Sequence, residues 1–123
     1  MERNEVLEDL RRLRRYRKEV DSLQGALDAI LDTLRRRDSA RLHSEARRLK
    51  QDVARAAKEL AALEEHYIKA FTVLETLTRT MMLEHFICDY TIRELANRHN
   101  YSIDGVKKKI ARGISLLANI PRK

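Results

Sequence analysis

Tryptophan is absent from the 123-residue sequence, which also has one proline, three glycines and a single cysteine, Cys88. One cysteine excludes an internal disulfide framework and a multi-cysteine zinc site. So few glycines and prolines leave too little turn chemistry for a many-stranded sandwich or barrel. No apolar run approaches the roughly 18 residues of a membrane span, and the opening MERNEVLEDLRR has no signal-peptide core. Gly-rich phosphate loops, HExxH and nucleophile motifs are missing as well. The four histidines, His43, His66, His85 and His99, are scattered, and His85 with Cys88 makes only a pair where a metal needs three or four ligands. These absences predict a soluble, non-enzymatic protein of a reducing compartment, with no metal and no cofactor.

What remains is 43% hydrophobic and 37% charged. Ala, Leu, Arg, Lys and Glu dominate, the composition of long helices, and apolar content this high argues against disorder. At this length one folded unit is the expectation. Twenty-six basic against 19 acidic side chains leave a net charge of +7. Residues 1–77 carry 17 basic and 15 acidic groups, and residues 78–123 carry nine against four. A basic end on a near-neutral body suits a polyanion-binding module, although a solvated helix face has the same charge.

Two long amphipathic helices are predicted first. Val6, Leu10, Leu13, Arg17, Val20, Gln24, Leu27, Leu31 and Leu34 follow alternating steps of four and three, the seam of a heptad repeat. Tyr16, Leu23 and Ile30 widen the stripe, and Gly25 is its weak point. The basic triplet Arg35-Arg36-Arg37 suits a helix C-terminus, and Asp38 or Ser39 can cap the next helix. A second seam then runs Leu42, Ala46, Leu49, Val53, Ala56, Leu60, Leu63, Tyr67, Ala70, Leu74, Leu77. The phase breaks between the two seams, which predicts two helices in an antiparallel coiled-coil hairpin over residues 1–77. The seams can pair within one chain or between two.

The remaining segment, 78–123, carries the chemistry. Thr78 is expected to cap a short helix using Met81, Met82 and Phe86, with Cys88 a small buried hydrophobe and Asp89-Tyr90 the end. Thr91-Ile92-Arg93-Glu94 reads as a capping box, opening a two-turn helix with Ile92, Leu95 and Ala96 inward. Asn100 suits a left-handed turn, Tyr101 can plug it, and Ser102 can cap a third helix burying Val106, Ile110, Ile114 and Leu117. That stripe leaves Asp104, Lys107, Lys108 and Arg112 outside, with Lys109 at its border. A capped helix, a tight turn and a basic helix is the order of a helix-turn-helix, whose second helix enters the major groove of DNA. Ser102, Asp104, Lys107 and Lys108 would then face base edges, Lys109 and Arg112 would reach phosphates, and Gly105 would allow close approach.

The stretch Leu74–Leu117, through LETLTRTMMLEHFI, YTIRELANRHNYS and VKKKIARGISLL, resembles region 4 of bacterial sigma factors. It is more similar still to small phage regulators of that fold, the RinA and ArpU-type late-gene activators. The resemblance implies sequence-specific binding to double-stranded DNA and control of phage or mobile-element transcription in the cytoplasm of a bacterial host. Ser102, Asp104, Gly105, Lys107, Lys108 and Arg112 match its DNA-contacting positions, with Thr91 and Arg93 near phosphates. Asn100 replaces the usual turn glycine, Lys109 stands where many relatives are apolar, and Gly113 weakens the same helix. A homodimer through the N-terminal helices is the expected assembly. The alternative is a phage protein that modulates a host complex, such as RNA polymerase, through the same basic surface. A small subunit of a phage DNA-packaging machine is a third reading.

Overall fold

The computed structural model describes residues 2–120, all of whose regular elements are helical, with no strand among the described residues. Helix α1 spans Arg3–Arg36 and α2 spans Ala40–Ala70, followed by a single 3-10 turn, Phe71–Val73. Helix α3 covers Thr76–Met82 and runs into a π turn, Leu83–Ile87; α4 is Ile92–His99 and α5 is Ile103–Ala118. No described helix is long and apolar enough to cross a membrane.

The phase break between the seams is a helix break. Helix α1 stops at Arg36 with Arg35 and Arg36 in its last turn, where cations meet the negative end of the dipole. Ser39 caps α2 by accepting the Leu42 amide proton at 3.3 Å. Gly25 does not interrupt α1, and nothing lies within 4 Å of where its Cβ would be.

The chain divides into two compact units, one of residues 1–14 with 63–123 and one of residues 15–62. The composition change at residue 77/78 falls inside the first. In the unit 15–62, Leu27 of α1 clusters with Ala46 and Leu49 of α2, and Leu23, Ile30, Leu31, Leu34 and Val53 pack around them only partly buried. The seam's polar position Gln24 is exposed, its amide donating to Asp28 at 2.9 Å.

The other unit holds most of the core. Val6, Leu10 and Leu13 of α1 are buried, as are Tyr67, Phe71 and Leu74 at and beyond the end of α2. The Tyr67 hydroxyl escapes the penalty of burial by donating to Asp9 at 2.6 Å. Helix α5 packs against both α3 and α4. It buries Val106, Ile110, Ile114 and Leu117, the four positions read from its spacing, against a core that includes Met81, Met82, Leu95 and Ala96.

Three local expectations are corrected. The second seam does not remain helical to Leu77: α2 ends at Ala70, and Leu74 is buried in an extended conformation. Thr78 does not cap α3. Glu75 does, its carboxylate accepting from the Leu77 and Thr78 amides at 3.1 and 2.7 Å and from the Thr78 hydroxyl, which is itself buried. Cys88 is exposed rather than packed. Its amide donates to Leu83 O at 3.0 Å, five residues back, and this widened turn shifts Cys88 off the apolar face. Asp89 then takes a positive φ of 64°.

Gly113 has a second role. It is a packing position as well as a weak helix former, because a Cβ there would sit 3.0 Å from Thr78 Cγ2 and 3.1 Å from Met82 Sδ. The missing side chain is what lets α5 lie close to α3. Gly113→Val should therefore overpack this contact and lower stability by about 1–3 kcal/mol. Gly25→Ala, in open space, should raise it by about 0.5–1 kcal/mol. Urea unfolding of both variants checks the pair of signs, and equal midpoints would contradict this packing.

Candidate nucleic-acid interface

The candidate surface is built on α4, α5 and the turn between them. Thr91 caps α4: its side chain accepts from the Glu94 amide at 3.1 Å, and the Glu94 carboxylate accepts from the Thr91 amide at 3.1 Å. This is the reciprocal box expected from the sequence. At the other end Asn100 is left-handed, with φ 59° and ψ 42°. The Asn100 and Tyr101 amides both donate to Ala96 O, closing the helix. Two residues later Ser102 caps α5 by accepting from the Gly105 amide at 2.9 Å.

Both cap hydroxyls accept with their oxygen and keep a proton to donate outward. Thr91 and Ser102 are exposed, as are Arg93 and Asp104. Gly105 is half-buried for a local reason: a Cβ there would lie 3.0 Å from Ser102 Oγ and 3.4 Å from the Tyr101 ring. It makes room for the cap itself.

Along α5 the four-residue spacing puts Asp104, Lys108 and Arg112 on one line, with Lys107 beside it. All four are exposed, and among the described residues no ion pair engages Lys107, Lys108, Arg112 or Arg93. Lys109 is set apart. It is half-buried toward α3, its Nζ 3.6 Å from Glu75 Oε1. The α3 cap thus already balances Lys109, and the unneutralised charge of α5 rests on Lys107, Lys108 and Arg112. Hydrogen bonds from the Thr78 hydroxyl and the Thr78 and Leu77 amides, with Lys109 nearby, hold the Glu75 carboxyl down at about 2.

What fixes α4 was not visible in the sequence. Glu84, in the π turn, is buried at 8% exposure and accepts from Arg98 Nε at 2.7 Å and His99 Nε2 at 2.5 Å. Its backbone carbonyl accepts from the Tyr90 amide at 2.9 Å, and the Arg98 guanidinium lies 4.7 Å from the Tyr90 ring centroid. Burial pushes the Glu84 carboxyl up, but the His99 and Arg98 hydrogen bonds outweigh it and hold the group below its ordinary value. His85, next to it, donates from Nδ1 to Tyr90 O at 2.7 Å. Burial lowers its pKa; the Tyr90 bond acts the other way. The partners of Glu84 lie 14 and 15 residues away, so no local pattern announces them.

No set of three or more His, Cys, Asp or Glu residues that could hold a metal occurs among the described residues. Arg3 adds an N-terminal contact to this unit, its Nη1 2.5 Å from Ser115 Oγ on α5. Compared with protein-family models, curated proteins and solved structures, the chain matches none.

The two perturbed groups at the π turn set a pH dependence. His85 is held below its ordinary 6.5, so its contribution is complete above that pH and is lost as pH falls below it. Glu84 is held below 4.5, so its contribution is complete above that value and is lost as pH falls through its lower folded value. Unfolding free energy should therefore decline below about pH 6.5 and again in the acid range. Glu84→Gln should cost about 2–3 kcal/mol at neutral pH and reduce the second decline, to which the Glu75 carboxyl held at about 2 also contributes, while leaving the first decline in place. A pH series of urea melts reads both; an acid limb unchanged by the substitution would refute the assignment.

Proposed function

We propose that this chain is a sequence-specific double-stranded DNA-binding regulator of transcription, of phage or mobile-element origin and acting in the cytoplasm of a bacterial cell. In this reading α4 and α5 form a sigma region 4-like helix-turn-helix with α5 as the recognition helix. The observation that carries it is the outer face of α5. Lys107, Lys108 and Arg112 stand there exposed and unneutralised, directly after a left-handed turn and a serine cap. A helix so presented offers its first two turns to base edges and its cations to phosphates. Thr91, Arg93 and Ser102 add donors at two helix N-termini, where anions are favoured.

Helices α1 and α2 form an antiparallel hairpin in this reading, and pairing of N-terminal helices between two chains would set two reading heads on a repeated or palindromic site. The chain needs no cofactor for this and carries out no catalysis.

A second reading is favoured by Ile103 and Leu116, apolar residues 39% and 41% exposed on the same helix. They suit contact with a host protein complex, such as RNA polymerase, through the same basic surface.

A binding titration on the protein's own upstream DNA and on unrelated duplex, at about 50 and 200 mM salt, tests the proposal. Four to eight phosphate contacts predict a slope of log affinity against log salt near −4 to −7, and its own region should bind about 10³-fold tighter or more. Lys107→Ala with Lys108→Ala should weaken binding at least about tenfold and reduce the slope by about 2. Weak, equal binding to both duplexes, or regulation that survives the double substitution, would give the surface to a protein.

A further inference from the structure

The second basic region lies in the other unit, away from α5 in sequence, and the DNA-binding reading makes no use of it. Residues 35–50 hold seven basic side chains against two acidic ones, Asp38 and Glu45. Both acids are already engaged, Asp38 by His43 at 3.0 Å and Glu45 by Arg48 at 3.8 Å, and Arg36 is paired with Asp32 at 3.2 Å. Arg35, Arg37, Arg41, Arg47 and Lys50 make no ion pair among the described residues; Arg47 donates only to Ser44 Oγ, at 3.2 Å.

Three of these cations rim an open cleft of about 450 Å³ between α1 and α2, whose floor is Leu31, Leu34 and Ala46. The floor is apolar and part of it faces water. Leu27, Ala46 and Leu49 are buried, while Leu31 and Leu34 pack against them and keep part of their surface in water. Exposed apolar surface ringed by charge of one sign suits an occupant with the complementary pattern.

We propose that this cleft docks an acidic amphipathic helix of a partner protein. Apolar side chains one turn apart rest on Leu31, Leu34 and Ala46, and flanking carboxylates meet Arg35, Arg47 and Lys50. His43, on the lining, is already held by Asp38. A nucleic-acid backbone would satisfy the cations but leave the leucines wet, so the floor decides for a peptide. The proposal stands apart from the reading of α5 and survives its failure.

The test uses the full chain and a fluorescein-labelled helical peptide about four turns long, Glu-rich with Leu at i, i+3 and i+7, in an anisotropy titration. Its counterpart carries Ser for each Leu. The Leu peptide should bind at least about tenfold tighter than the Ser peptide. Arg47→Gln with Lys50→Gln should weaken it at least about tenfold, whereas the charge-matched Lys107→Gln with Lys108→Gln should change it less than about twofold. Equal binding of the two peptides would mean attraction by charge alone and overturn the proposal. So would equal losses in the two double variants, or displacement of the Leu peptide by stoichiometric duplex DNA. Self-association of the chain that Arg47→Gln with Lys50→Gln abolishes would give the cleft to a second copy, and that too overturns it.

Discussion

A carboxylate buried in the π turn after α3 governs how the second half of the chain is arranged. Water cannot solvate Glu84 fully, so the group must be met by protein donors, and Arg98 and His99 meet it from the last turn of α4. The same residue's carbonyl holds the Tyr90 amide, and Tyr90 lies under Arg98. One residue therefore ties the connection into α4 through its carbonyl and the far end of α4 through its carboxylate. Once α4 is fixed, Asn100 and Ser102 leave the direction of α5 little freedom, because a left-handed residue and a capped N-terminus bracket a single exposed residue, Tyr101.

Helix α5 then serves two surfaces at once. Its inner side is set by Val106, Ile110, Ile114 and Leu117 and by the bare backbone of Gly113 against Thr78 and Met82. Lys109 sits at the edge and is claimed by Glu75, the residue that also caps α3. The division matters for function because it separates one structural lysine of the triplet from the two that face solvent. A net charge of +7 describes none of this; its distribution over paired and unpaired positions does. Seen that way, the chain has two basic surfaces. One is the outer face of α5, proposed to meet a duplex, and the other is a cleft with an apolar floor.

Much of the fold was legible because its signals are local. The T-I-R-E box, Asn100, the Ser102 cap and the four apolar positions of α5 each depend on neighbours within about one helical turn. The phase break at Arg35–Ser39 was legible for the same reason, since heptad register is a local property. Other features were not. Glu75 is an uncommon cap, and Thr78 beside it carries the better local signal while its hydroxyl is spent inward. The π turn that carries Cys88 outward has no sequence signature, and the four-three alternation runs straight through the break after Ala70. Glu84 carries no local signal because its partners lie 14 and 15 residues away. The cleft at residues 31–50 was hidden inside a seam that explained its leucines, and in a segment whose balance of charge, taken over residues 1–77, is nearly neutral.

The central claim is that the outer face of α5 meets DNA. Backbone amide shifts of the ¹⁵N-labelled chain, followed as its own upstream duplex is added, test this most directly. The account predicts that shifts concentrate at Thr91, Arg93 and Ser102–Arg112, while amides of residues 31–50 stay in place. Shifts confined to residues 31–50, or spread evenly over all the lysines and arginines, would contradict it.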